Sequence, residues 1–100
     1  MFFDYRQNNS GGSFITNCDV DVFVIIEAES AAEADDRAQD IGIYFDGCDS
    51  GFDCPCCGDR WYRAYEGEEV PSLYGQPVEQ FKKSYGEIII HYLDGRKVFM

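Results

Sequence analysis

Basic residues are scarce in this 100-residue chain: eight Lys and Arg stand against nineteen Asp and Glu, a formal net charge of −11. Gripping a nucleic-acid backbone depends on Lys and Arg releasing counterions from phosphates, so direct nucleic-acid binding is disfavoured. Long apolar runs are missing too. The longest, residues 22–26 and 88–90, are strand-sized, whereas a bilayer-spanning helix needs about 20 apolar residues; no membrane association is expected. The opening Met1-Phe2-Phe3-Asp4-Tyr5-Arg6 has no basic n-region and no long apolar h-region, which sets the expectation of no signal peptide and a cytoplasmic location. P-loop and dinucleotide fingerprints are absent. His91 is the only histidine, so a histidine-dependent mechanism has one centre available, and we assign no catalytic residue.

What is present argues for a folded chain. Apolar residues make up 45% and aromatics 16%, too much to remain disordered, and the length suits one domain. Residues 2–6 read as a strand, the turn-rich Gln7–Gly12 run follows, and residues 13–16 are a candidate hairpin partner. Residues 20–28 alternate as the clearest strand, with Val20, Val22, Val24, Ile26 and Ala28 on one face. Ser30 with Glu33 three positions later is a capping box, and Ala31, Ala34, Ala38 and Ile41 form the apolar stripe of a helix that stops at Gly42. Residues 43–45 and 60–65 read as strands, 46–59 and 66–77 as loops, and 78–85 as ambiguous. Asp94-Gly95 joins two final strands as a two-residue hairpin, placing Leu93 opposite Arg96, His91 opposite Val98 and Ile89 opposite Met100. The expected fold is α+β: a small, mainly antiparallel sheet with one helix packed on it and a cysteine-rich knuckle loop.

That loop carries the most specific chemistry. Cys54-Pro55-Cys56-Cys57-Gly58 contains the Cys-Pro-x-Cys-Gly pattern of rubredoxin-type and zinc-ribbon knuckles. Proline presets one backbone angle and glycine permits a positive-φ exit, so two thiolates come to one side of a tight turn. A structural zinc needs four ligands. Cys48, Cys54, Cys57 and His91 form the candidate set. Cys18, Cys56 and the carboxylates of Asp46, Asp49 and Asp53 compete for the fourth position, and Cys56 is expected to point away. Zinc binding would add directly to folding. Three alternatives stand beside zinc: metal-free thiols packed as small apolar groups, a disulfide, which a cytoplasmic setting disfavours, and redox chemistry, for which no thioredoxin-like βαβ unit precedes the cysteines.

Two other features invite a binding role. Arg6, Gly11, Gly12, Arg60 and Trp61 combine guanidinium groups, a flexible turn and an aromatic face, a set able to hold a phosphate-bearing small nucleotide. The plainer alternative is a strand alternating between core aromatics and exposed arginines. Between Asp19 and Asp59 twelve acids face one base, Arg37, a field able to steer a basic partner or to mimic nucleic acid; a solubilising surface is the simpler use.

Two segments, Tyr5-Arg6-Gln7-Asn8-Asn9-Ser10-Gly11-Gly12-Ser13-Phe14 and the stretch from Asp53-Cys54-Pro55-Cys56-Cys57-Gly58 to Asp59-Arg60-Trp61, resemble a family of short uncharacterised proteins of tailed bacteriophages. Gly42-Ile43-Tyr44-Phe45-Asp46-Gly47 and Ile90-His91-Tyr92-Leu93-Asp94-Gly95-Arg96 extend the likeness. The resemblance implies expression in a bacterial host and no transferable catalytic residue. It also implies that Cys54, Cys56 and Cys57 belong together, which makes a three-cysteine cluster with a distant fourth ligand a rival arrangement. The resulting expectation is an accessory protein that binds a host protein, in host takeover or counter-defence. Sequestration of a nucleotide signal, a thiol- or zinc-dependent enzyme, and a virion component are the alternatives.

Overall fold

Phe23–Glu27 (β2) is the spine of the molecule, because almost every side chain along it is buried on one face or the other. The computed structural model describes residues 1–9, 12–81 and 86–100. Phe2–Arg6 (β1) pairs antiparallel with β2, from Phe2 opposite Glu27 to Arg6 opposite Phe23. On the other side of β2 lies Ile88–His91 (β5), in parallel, and Lys97–Phe99 (β6) closes the sheet antiparallel to β5. The order is β1-β2-β5-β6. The sheet is mainly antiparallel, as expected, but its central pair is parallel. The long crossover this requires carries the helix and the cysteine loop.

Each face of the sheet has its own core. Val24 and Ile26 of β2 pack with Phe3, Tyr5 and Trp61 beneath the helix Ala31–Asp40 (α1). Phe23, Ile25, Ile88 and Ile90 pack on the opposite face against Leu73 and Val78. Val22 belongs to this second cluster, not to the face of Val20 and Val24, so the alternation expected across residues 20–28 breaks before Phe23. The helix is as expected: the Ser30 hydroxyl accepts from the Glu33 amide at 3.1 Å, and Ala34 and Ala38 are fully buried. Arg37, the single base in the acidic stretch, donates to the carbonyls of Glu27 and Tyr92 and ties the helix across the sheet.

Several boundaries differ from expectation. Residues 13–16 form no strand; the buried Gln7 side chain replaces a ladder by accepting from the Ile15 amide at 2.6 Å and donating to its carbonyl at 3.0 Å. Residues 43–45 and 60–65 are also outside any strand, and the loop between them contains a short helix, Gly47–Ser50 (α2). Ser72–Leu73 (β3) and Gln76–Pro77 (β4) make a miniature hairpin within the segment read as loop. The end of the 78–85 stretch lies outside the described residues. The final hairpin exists, with its register displaced by one: His91 faces Lys97 and Ile89 faces Phe99. Its connection is the three-residue Leu93-Asp94-Gly95. The Gly95 amide donates to Tyr92 O at 3.0 Å, and Gly95 itself takes φ +93°, the arrangement of a type I turn followed by a left-handed residue. No helix of the described residues is long and apolar enough to cross a membrane.

Candidate metal centre

The cysteine loop is shaped from beneath by a buried charged network. Asp53 Oδ2 accepts from the Arg60 amide at 2.8 Å, and Asp53 Oδ1 accepts from the Tyr44 hydroxyl at 2.6 Å. The Arg60 guanidinium lies 3.7 Å from the same carboxylate and donates to Tyr44 Oη, Gln7 Oε1 and the Ser13 carbonyl. Asp53 and Arg60 therefore clasp the two ends of the knuckle and bond it to the end of β1. Gly47 is required where the loop crosses Asp53, since a Cβ there would lie 1.8 Å from Asp53 Oδ2. Asn8 completes the support by donating to the carbonyls of Cys57, at 2.7 Å, and Asp59, at 3.2 Å.

On this base residues 54–57 make a tight turn, with the Cys57 amide donating to the Cys54 carbonyl at 3.1 Å, and Gly58 leaves it at φ +85°. The sulfurs of Cys54, Cys56 and Cys57 all lie within 4.8 Å of one another, close enough to hold a metal ion. Cys56 does not point away as expected: its Sγ is 2.8 Å from that of Cys54 and 4.0 Å from that of Cys57. Tetrahedral zinc with Zn–S bonds of about 2.3 Å separates neighbouring sulfurs by about 3.8 Å. The Cys56–Cys57 edge is near that value and the Cys54–Cys56 edge must open by about 1 Å. Cys56 and Cys57 are exposed and Cys54 is half-buried, so the cluster is open to solvent.

The electrostatics distinguish the thiols. Cys54 is held below the usual thiol range, chiefly by the hydrogen bond from the Cys56 thiol and then by the Cys56 amide, with further help from Cys57. Cys56 is correspondingly pushed up to about 11 by its bonds to Cys54 and Cys57. Cys48 rises to about 11, first through its hydrogen bond to Asp59 and then through desolvation. Cys54 thus gives up its proton more readily than Cys48 or Cys56.

The expected ligands are only partly brought together. Cys54 and Cys57 join Cys56, not His91. Cys48 sits beside the cluster, its Sγ 3.6 Å from the Cys54 carbonyl, but it is not among the three converging sulfurs. His91 Nε2 is 2.7 Å from the Asp19 carbonyl, next to the Lys97–Asp19 ion pair and Cys18. Asp53 is committed to Arg60, and Asp46 lies 2.9 Å from Arg63.

The residues grouped for nucleotide binding do not meet on an open surface. Arg60 and Trp61 are buried, Gly12 spends its amide on the Asn9 carbonyl, and Gly11 lies outside the described residues. Arg6 is exposed, with its guanidinium 4.4 Å from the centre of the Tyr74 ring. The supporting roles of Gln7, Asn8, Tyr44 and Asp53 were not anticipated from sequence; the run Gln7-Asn8-Asn9 directly after an apolar strand was the available signal.

A family profile described as a domain of unknown function (DUF7296) matches residues 1–100. The chain belongs to this family. No curated protein and no solved structure matches it. A function for this DUF7296 domain must therefore be argued from its own residues, and the three converging thiols are the most specific chemistry they offer.

Proposed function

We propose that this chain is a phage-encoded accessory protein that binds a protein of the host cell, and that Cys54, Cys56 and Cys57 hold a structural zinc ion that stiffens its exposed knuckle. The observation carrying the metal reading is the convergence of three thiols on a turn already clasped by Asp53 and Arg60. Zinc would take these thiolates as ligands and draw the turn tight; Cys48 is the in-chain candidate nearest to hand for the fourth position. The two segments that resemble tailed-phage proteins support the origin. A binding role is supported by the charge of −11 and by the commitment of the one histidine to the Asp19 carbonyl, away from the thiols that it would have to activate.

Native mass spectrometry of the reduced protein titrated with zinc tests the metal. One zinc per chain is expected, with loss of binding in Cys54→Ser, Cys56→Ser and Cys57→Ser. A wild-type chain that stays bare at stoichiometric zinc defeats the reading. The binding role is tested by affinity capture from host cells: a host protein that rebinds the purified chain is expected and the lack of any defeats the role, while Glu33→Lys, Asp36→Lys and Asp40→Lys on α1 decide only whether the acidic helix is the surface. Asp35 must be left alone, because its carboxylate accepts from the Tyr5 hydroxyl and the Ala64 amide. A second reading, thiol chemistry at Cys54, is favoured by the lowered Cys54 pKa and the adjacent Cys56 sulfur. A Cys54→Ser chain that keeps its fold but loses a thiol-dependent activity would select it.

A further inference from the structure

Beside the knuckle, where the Tyr62 hydroxyl lies against Gly58, three exposed tyrosines gather in one cleft of about 290 Å³. Tyr62 and Tyr74 are each 59% exposed and Tyr65 is 89% exposed. Tyr74 is also held in a costly conformation. It and Gly75 form the two-residue turn between β3 and β4, both at positive φ, +54° and +78°. Such turns favour asparagine, aspartate or glycine at the first position, and a bulky ring there is an outlier. Outliers of this kind cluster at binding sites, where the fold tolerates strain to present a side chain.

The charges of the cleft are uneven. Its two arginines are already engaged with carboxylates: Arg6 lies 3.6 Å from Asp4 and Arg63 lies 2.9 Å from Asp46. Glu66 and Glu68 add carboxylates to the rim, within a chain of net charge −11. Aromatic faces attract cations, and surrounding carboxylates reinforce that attraction. We infer that this cleft is the docking surface for a partner-protein segment bearing lysine or arginine, seated on Tyr62 and Tyr65 and held at its charged ends by Glu66 and Glu68. A phosphate-bearing segment would enter against the field of the whole chain. The inference rests on the binding-protein reading and names its surface, but it does not depend on the metal.

The test is an NMR titration of the isotope-labelled full chain with a blocked peptide repeating Gly-Lys-Ser-Arg. The solution is held near 0.15 M salt, where charges more than about 8 Å apart are largely screened. A matched peptide with glutamate in place of the basic residues is run in parallel. Expected are shifts confined to residues 62–68 and 73–76, and weakening on the order of tenfold in Tyr65→Ala and in the double variant Glu66→Gln/Glu68→Gln. Glu33→Gln/Asp36→Asn/Asp40→Asn on the helix should weaken binding less than Glu66→Gln/Glu68→Gln does. Tyr65 is almost fully exposed, so its replacement leaves the fold intact, which circular dichroism verifies. Equal binding of the glutamate peptide, shifts spread equally over α1, indifference to Tyr65→Ala, or no binding at millimolar peptide would each overturn the cleft. A host partner captured and cross-linked through α1 would also overturn it while leaving the binding role standing. Zinc stoichiometry is read separately and stands or falls alone.

Discussion

Removing the Asp53 carboxylate should unseat the knuckle without touching a cysteine. Its side chain is fully buried and that of Arg60 is 7% exposed, so solvent screens the pair little. Asp53→Ala removes the acceptor for both the Arg60 amide and the Tyr44 hydroxyl, and takes away the carboxylate beside a buried guanidinium. Breaking a buried ion pair from one side costs about 3–5 kcal/mol, a large share of the roughly 5–15 kcal/mol that holds a domain together. For a chain of this length that corresponds to a fall in Tm of about 15–30 °C. Arg60→Met should cost several kcal/mol as well, whereas Asp53→Ala/Arg60→Met should lose less than the sum of the two, by about 1–3 kcal/mol. Urea denaturation followed by circular dichroism, on reduced and metal-free protein, measures all three variants. Single-variant losses under about 1 kcal/mol, or additivity within about 0.5 kcal/mol, would refute the clasp.

The same loop should reject a single methyl group. Gly47→Ala forces a Cβ into the Asp53 carboxylate and the Tyr44 ring, and a loss of about 2–3 kcal/mol is expected; a loss below 1 kcal/mol in urea melts would mean the loop shifts freely. At high pH, Tyr5 is the residue to watch. Burial first, and then its bond to Asp35, push its ionisation above the usual value near 10. The stability it contributes is therefore intact below the unfolded pKa and falls above it, by at most about 1.4 kcal/mol per pH unit. Tyr5→Phe should cost about 1 kcal/mol at neutral pH and flatten the alkaline limb of the stability curve; an unchanged slope would count against this. Cys54 should be alkylated by iodoacetamide at about pH 7.5 ahead of Cys48 and Cys56, which are both raised. Peptide mapping that finds Cys56 modified first would contradict the assignment of the thiolate.

The elements legible in the sequence were those with a local cause. Ser30 and Glu33 mark the start of α1, the alanine stripe marks its buried side, and Asp94-Gly95 marks the last turn. What was misread depended on pairing at a distance. Residues 22–26 and 88–90 are apolar without interruption, as expected of strands buried on both faces and paired in parallel; alternation was the wrong template for them. The one-residue slip in the hairpin has a similar origin. Asp94-Gly95 suits a two-residue turn, but Gly95 instead supplies the left-handed position of a three-residue one. A single step in register then turns His91 from Val98 to Lys97.

For the candidate site the knuckle pattern named the right turn, and the three-cysteine grouping that the resemblance implied is the one whose sulfurs converge. Cys-Pro-x-Cys-Gly predicted that Cys54 and Cys57 would meet, but it treated Cys56 as a spacer. The turn is tight enough that the sulfur of Cys56 converges with the other two. Arg60 and Trp61 looked like ligand-binding groups because their polar and aromatic atoms are chemically suited to it; the plainer alternative had the aromatic in the core, but no local pattern reveals that Arg60 is buried too, against Asp53. Both outcomes share a cause. The loop 46–59 carries a single aromatic ring, Phe52, and that ring is exposed, so the loop is fixed by a buried charge pair and the polar end of β1. The exposed tip is thereby left free for metal or partner chemistry. Substitutions at Gln7, Asn8, Tyr44 or Asp53 should therefore disturb the thiol cluster from a distance, although none of these residues is itself a ligand.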